Sequence, residues 1–253
     1  MIRLIDFSIG FGPHKLLEKV EATFMKCKLT ALIGRNGSGK STLLKTICGL
    51  NENYTGDILI SKENLRSIPR HKLARKIAYV NTHRPRLGNL KCKEVVALGR
   101  SPYTGWNGKL SHKDWDFVDK AIEMVGMASY GNRYFNSLSD GESQKIMIAR
   151  AIAQDTEIII LDEPTSFLDL PTRFDLVEIL KNLTKEKEKT IIFSTHELDI
   201  AIHISDYMAI MDNRDLIILP SGEMAQSTHL RHLLPENWDL SAIYLKESGK
   251  SFS

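Results

Sequence analysis

The chain has 253 residues, room for one large domain or two small ones at roughly 100–200 residues each. Its 42% apolar and 26% charged content are ordinary for a globular protein, and a net charge of +3, from 34 basic and 31 acidic side chains, is too balanced for a nucleic-acid footprint. Cys27, Cys48 and Cys92 lack C-x-x-C spacing, which argues against a disulfide or metal set, and no apolar run nears the roughly 18 residues of a membrane span.

Met1–Ser8 reads as a strand, not as a basic stretch followed by an apolar one, so no secretory leader is expected and the protein is expected in the cytosol. Lys28–Ile33 reads as a buried strand and Ser41–Cys48 as a helix; Cys27 and Cys48 are expected in core segments. Gly56–Ile60 and Ile77–Val80 are short strands, with a short helix over Pro69–Lys76 between them. From about Thr82 to Ala149 the pattern turns helical. Lys91–Gly99 and Ser111–Val125 have helical spacing, and Trp115, Val118, Ile122 and Val125 share one face behind a Ser111–Asp114 capping box. Gly99–Gly108 reads as a turn-rich loop with exposed aromatics. Strand–helix alternation resumes with a strand over Ile158–Asp162, a helix over Pro171–Leu183, a strand over Thr190–Ser194, and a hairpin of Met208–Met211 and Leu216–Leu219. The alternation predicts an α/β fold with a largely parallel sheet.

Gly34-Arg-Asn-Gly-Ser-Gly-Lys-Ser41 fits G-x-x-x-x-G-K-[ST] and sits between a strand and a helix, where a phosphate-binding loop must be. Gly34, Gly37 and Gly39 let backbone N–H groups curl around an anion, and the helix N-terminus adds unpaired donors and positive dipole. Lys40 would reach the β- and γ-phosphates and Ser41 would ligate Mg²⁺. Asp162 emerges where the apolar strand Ile158–Leu161 ends, placed to hold the same metal, and Glu163 points elsewhere, able to polarise a water. Ser139, followed three residues on by Glu142, is a capping box. Its helix start could also offer the N–H groups of Ser139, Asp140 and Gly141 to an anion.

Leu138-Ser-Asp-Gly-Glu142 resembles the signature of the ATP-binding cassette (ABC) ATPases, usually L-S-G-G-Q, and other motifs of that family follow in order. Phe11 matches the aromatic position that stacks on adenine, though it reads equally as a core aromatic. Ser166–Asp169 resembles the D-loop, and His196 matches the switch histidine. The resemblance covers about residues 2–222. It implies a P-loop NTPase fold with a RecA-like parallel core, an antiparallel β subdomain and a helical insert. On that basis 1–222 is a single domain, with the insert at about 83–149, and 223–253 is a tail of unassigned role. It also implies a head-to-tail homodimer with two ATP molecules sandwiched between subunits. Gly34, Asn36, Gly37, Ser38, Gly39, Lys40, Ser41 and Thr42 would hold the phosphates, Ser41 and Asp162 would hold Mg²⁺, and Glu163 would be the general base. His196 would contact the γ-phosphate, Ser139 and Gly141 would close from the opposite subunit, and Asp169 would link the two sites. The chain departs from the family at the usual V-P-Q, where it has Val80-Asn81-Thr82. Thr82 stands at the glutamine position as a possible metal ligand, and Asn81 has amide chemistry one residue early.

Ala97-Leu-Gly-Arg-Ser-Pro-Tyr-Thr-Gly105 and Gln144–Ala151 resemble the importer branch for iron–siderophore, haem and vitamin B12. That implies a peripheral subunit at the cytoplasmic face of the inner membrane, beneath two permease subunits and indirectly served by an external substrate-binding protein, with no nucleic-acid partner. His83–Leu87, with Tyr103–Trp106 near them, would dock the permease; a solvated loop is the alternative. A soluble ABC ATPase of translation, DNA repair or cluster assembly is the other function considered. The single cassette and the absence of a long coiled-coil insertion or basic patch weigh against it. A kinase or GTPase would leave the signature unexplained.

Overall fold

The computed structural model describes residues 1–82, 85–166 and 168–233. Strands β1 (Ile2–Phe11) and β2 (His14–Phe24) open the chain, and β3 (Leu29–Gly34) leads through the phosphate loop into α1 (Lys40–Ile47). Next come β4 (Tyr54–Ile60), β5 (Glu63–Asn64), α2 (Arg70–Leu73) and β6 (Ile77–Val80). The helical region contains α3 (Cys92–Ala97), α4 (His112–Met124) and α5 (Asp140–Ala153). Alternation returns with β7 (Ile158–Leu161), α6 (Leu170–Lys185), β8 (Thr190–Ser194), α7 (Leu198–Ile204), β9 (Tyr207–Asp212) and β10 (Asp215–Pro220). Two short helices follow, α8 (Ser221–Gln226) and α9 (Thr228–Leu233), burying Met224, Ala225 and Leu230. The last part of the tail, 234–253, lies outside the described residues.

One sheet, β2-β1-β4-β5, is antiparallel; the other, β10-β9-β3-β8-β7-β6, is parallel except for its edge strand β10. Both faces of the larger sheet are covered, so its strands are near-continuous apolar runs. Ala31, Ile33, Ile159, Leu161, Ile191 and Phe193 bury against the helical region and α6, whereas Leu32, Ile158, Ile160 and Ile192 bury with α1 and the antiparallel sheet. The predicted α/β fold with its parallel core, antiparallel sheet and helical region is the one observed.

The strand order does the positioning. β8 lies between β3 and β7, so the carboxyl ends of three neighbouring strands bring Gly34, Ser194 and Asp162 to one edge. Ligand sites in open α/β sheets lie at such edges.

Three sequence expectations shift. Cys27 is not in a strand; it lies in the turn before β3 at φ +54°, a value that interrupts extended backbone, and is half-buried. Cys48 closes α1 at its C-cap and is also half-buried. The loop over Gly99–Gly108 contains a 3₁₀ turn, Leu98–Tyr103, and Tyr103 is not free in solvent. The guanidinium of Arg100 lies 4.0 Å from the Tyr103 ring centre and that of Arg75 5.1 Å from it, which holds the ring against the protein.

Candidate functional site

The phosphate loop is shaped for an anion by what it leaves open. Gly37 and Gly39 take φ +80° and +100°, values that strain any side-chain-bearing residue. Gly39 caps α1 without a side-chain hydrogen bond, so the first N–H groups of α1 stay available. The Ser38 hydroxyl is buried in the loop with no hydrogen-bond partner among the described residues, an orphan that a phosphate oxygen would satisfy. The buried Lys40 ammonium donates to the carbonyls of Gly34 at 3.0 Å and Arg35 at 3.4 Å. Burial pushes its pKa below the usual lysine value, opposed by the charges of Glu163 and Asp162. Thr42 is half-buried in the first turn of α1, and a cleft of about 360 Å³ flanks Asn36, Gly37 and Ser38 on the outer side of the loop. A larger cleft, about 490 Å³, lies among Tyr54, Leu65, Arg66 and Arg70; it contains none of this chemistry.

Asp162 is the hub of a hydroxyl network. The Ser41 hydroxyl donates to Asp162 Oδ1 at 2.9 Å, joining the phosphate loop to the end of β7. The Ser194 hydroxyl donates to the same oxygen at 2.7 Å and accepts the Glu163 backbone N–H at 2.8 Å. The Tyr79 hydroxyl donates to Oδ2 at 3.2 Å. Burial and the Asp162 charge push the Tyr79 pKa up, so the phenol keeps its proton and acts as donor. Ser41 and Asp162 offer two hard oxygens a few ångströms apart at the edge of a phosphate site, the donor set that suits Mg²⁺. Glu163 stands at φ +47°, an uncommon conformation for a non-glycine residue. Ser166 donates to Glu163 Oε2 at 3.0 Å, which orients that carboxylate.

Apart from Thr82, which bonds the Asp162 backbone, no hydrogen bond among the described residues joins the remaining predicted residues to this hub. Ser139 and Glu142 cap α5 reciprocally: Ser139 N–H donates to Glu142 Oε2 at 2.8 Å, and Glu142 N–H to the Ser139 hydroxyl at 3.2 Å. Asp169 caps α6 by accepting Thr172 N–H at 3.2 Å. The two helix starts pack closely, since a Cβ on Gly141 would come within 2.9 Å of the Thr172 methyl, and Lys145 pairs with Asp175 at 2.6 Å. His196 is exposed just beyond β8, and Phe11 is 64% exposed at the end of β1, so Phe11 is not a core aromatic. The Thr82 hydroxyl donates to the backbone carbonyl of Asp162 at 2.9 Å, while Asn81 is exposed. Of the docking residues, His83 and Arg84 lie outside the described residues, as does Phe167 of the D-loop.

The ABC transporter family profile matches residues 17–166, from β2 to just beyond Asp162 and Glu163. This chain belongs to the ABC transporter family. As an ABC ATPase it is 34% identical over 203 residues to the iron(3+)-hydroxamate import ATP-binding protein FhuC of Bacillus subtilis, covering 80% of this chain and 76% of that one. It is 31% identical over 254 residues to the petrobactin import ATP-binding protein YclP of the same organism, covering 100% of both. The dimeric structure of a bacterial ABC transporter cassette matches with a TM-score of 0.75 at 26% identity, covering 87% of this chain and 99% of that one.

Three residues of this ABC ATPase escaped sequence reasoning. Ser194 and Tyr79 join Asp162 only because β8 and β6 flank β7, an order that no local pattern encodes. Arg100 lies within the importer-like stretch, and its role appears in the packing: it pairs with Asp114 at 2.9 Å and donates to the Ala153 carbonyl at 2.8 Å, tying α4 to the end of α5. Gly99 next to it is obligatory, because a Cβ there would lie 2.2 Å from the Arg150 carbonyl.

Proposed function

We propose that this chain is the ATP-hydrolysing subunit of a membrane importer for iron–siderophore complexes, acting as a homodimer on the cytoplasmic side of two permease subunits. The contact between Ser41 of the phosphate loop and Asp162 carries the ATPase chemistry. The similarity to FhuC and YclP, the latter along the entire chain, supports iron–siderophore import. No helix among the described residues is long and apolar enough to cross a membrane, which suits a subunit that reaches the bilayer through partners.

In this mechanism the loop N–H groups, the open start of α1 and Lys40 take the phosphates, with Ser38 and Thr42 completing the cradle. Ser41 and Asp162 hold Mg²⁺, which when bound offsets charge on the phosphate oxygens. Glu163, steadied by Ser166 and Ser194, accepts the proton of the attacking water. His196 contacts the γ-phosphate, and Phe11 offers its exposed ring to adenine. Ser139 and Gly141 close from the second copy, and Asp169, packed beside them, links the two sites. Thr82 takes the glutamine position by latching the Asp162 backbone. Trp106, fully exposed on its loop at 101%, supports permease docking at residues 83–87 and 103–106, and an external binding protein presents the cargo.

The test is recovery of tagged protein from detergent-solubilised membranes, read by mass spectrometry. Co-purification of a polytopic permease is expected. Recovery from the soluble fraction alone, with no membrane partner, would replace the importer by a soluble ABC ATPase.

A further inference from the structure

We propose that Tyr79 is a positioning residue for the metal ligand Asp162, pinning the carboxylate oxygen that Ser41 and Ser194 leave open. The inference rests on Asp162 holding Mg²⁺, as proposed above. Ser41 and Ser194 both meet Oδ1, at 2.9 and 2.7 Å. Anchored at one oxygen, a carboxylate can still swing about its Cβ–Cγ bond. The Tyr79 hydroxyl, 3.2 Å from Oδ2, supplies the second point that defines its plane.

The anchor is itself held. Tyr79 lies on β6, which pairs in parallel with β7 so that Tyr79 faces Ile160 and Val80 faces Leu161. Its ring packs on the α1 side of the sheet. Its carbonyl accepts a hydrogen bond from Arg150 of α5 at 2.7 Å, so the helix that begins at the signature motif fixes the base of the tyrosine. A phenylalanine would fill the same space, which leaves the hydroxyl for the carboxylate. Outer partners of metal-ligating side chains commonly set metal affinity, and their loss typically costs 10–100-fold.

The experiment compares the full chain with Tyr79→Phe and Asp162→Asn, using Mn²⁺ binding to the ADP complex, followed by electron paramagnetic resonance, and ADP binding in EDTA. Tyr79→Phe is expected to raise the Mn²⁺ concentration for half-saturation about tenfold while leaving ADP affinity in EDTA unchanged. Asp162→Asn is expected to raise it further. Unchanged Mn²⁺ affinity in Tyr79→Phe beside a weakened Asp162→Asn would overturn the role of Tyr79 alone. Equal loss of Mn²⁺ and metal-free ADP binding in Tyr79→Phe would make the hydroxyl a general structural contact and overturn it too. Normal Mn²⁺ affinity in both variants would remove Asp162 as a ligand, and the role of Tyr79 with it.

Discussion

The two helix starts proposed to face phosphate are built in opposite ways. α1 begins at Gly39 with no side-chain cap, a buried lysine and an orphaned serine hydroxyl beside it. α5 begins at Ser139 with a reciprocal cap whose carboxylate already accepts the Ser139 N–H. The first leaves its donors for a ligand and is incomplete without one. The second is complete as a helix terminus, and on the proposed function it would meet phosphate only when a second copy is brought up to it. The proposed function thus assigns one chain a nucleotide-binding half-site and a closing half-site, and the local hydrogen bonding differs between them in the same sense.

The contrast can be broken from either side. Glu163→Gln keeps the α1 site but removes the base: kcat should fall about 10²–10⁴-fold with ATP binding retained and ATP-bound dimers accumulating, measured by phosphate release and size-exclusion chromatography. Turnover at the parent rate would remove Glu163 from that role. Lys40→Ala strips the α1 site of its buried cation, and kcat/KM should drop about 10²–10³-fold with weakened ATP binding by calorimetry.

Asp114→Asn probes the scaffold of the helical region. It leaves Arg100 without a charged partner at a contact where the two side chains are only 6% and 13% exposed, so unfolding should be easier by about 3 kcal/mol in urea titrations. The pH dependence has a definite sign. Hydrogen bonds from the Ser111 hydroxyl and backbone, and then the Arg100 charge, hold the Asp114 pKa below its usual 3.8. Its contribution is therefore present above that value and lost as pH falls through the lower folded one. The gap between parent and variant should narrow in that acidic range; a gap constant down to full protonation would rule out the ionised pair as its source.

The smallest effect is expected at the closing half-site. Hydrogen bonding from the Ser139 N–H holds the Glu142 pKa low, so its carboxylate is charged where a neighbouring phosphate would approach. Glu142→Gln retains the cap geometry and removes that charge. In a Glu163→Gln background it should lower the ATP concentration for dimerisation about two- to fivefold, the size of one charge at a helix terminus. Weaker dimerisation would mean that the charge is needed.

The parts legible in the sequence are those whose chemistry is contiguous. The phosphate loop, the Ile158–Glu163 strand end and both capping boxes each lie within eight or fewer consecutive residues, and each folds as its pattern predicts. Ser194, Tyr79 and Arg100 were hidden for the converse reason: each acts on a residue of another element, at a distance set by strand order or helix packing. Cys27 misled because its place just ahead of an apolar strand says nothing of φ, and its positive φ keeps it in the turn before β3. Tyr103 misled because a turn-rich stretch suggests solvent, whereas two arginines from separate segments cover the ring.

The bond from Arg150 to the Tyr79 carbonyl has a second consequence. β6 is an outer strand, and an outer strand's unpaired carbonyls invite a strand from another molecule. The carbonyls of Ile77 and Tyr79, two residues apart on the side away from β7, are taken by Gln154 at 3.0 Å and Arg150 at 2.7 Å, both from α5. At the opposite margin β10 ends in Pro220, which has no N–H to offer, and the Arg214 carbonyl just ahead of it accepts Glu18 N–H at 2.9 Å. Neither margin offers a free template for cross-molecular sheet growth at these positions. In the proposed homodimer, such closed margins would favour reversible pairing through the nucleotide faces over sheet-to-sheet aggregation.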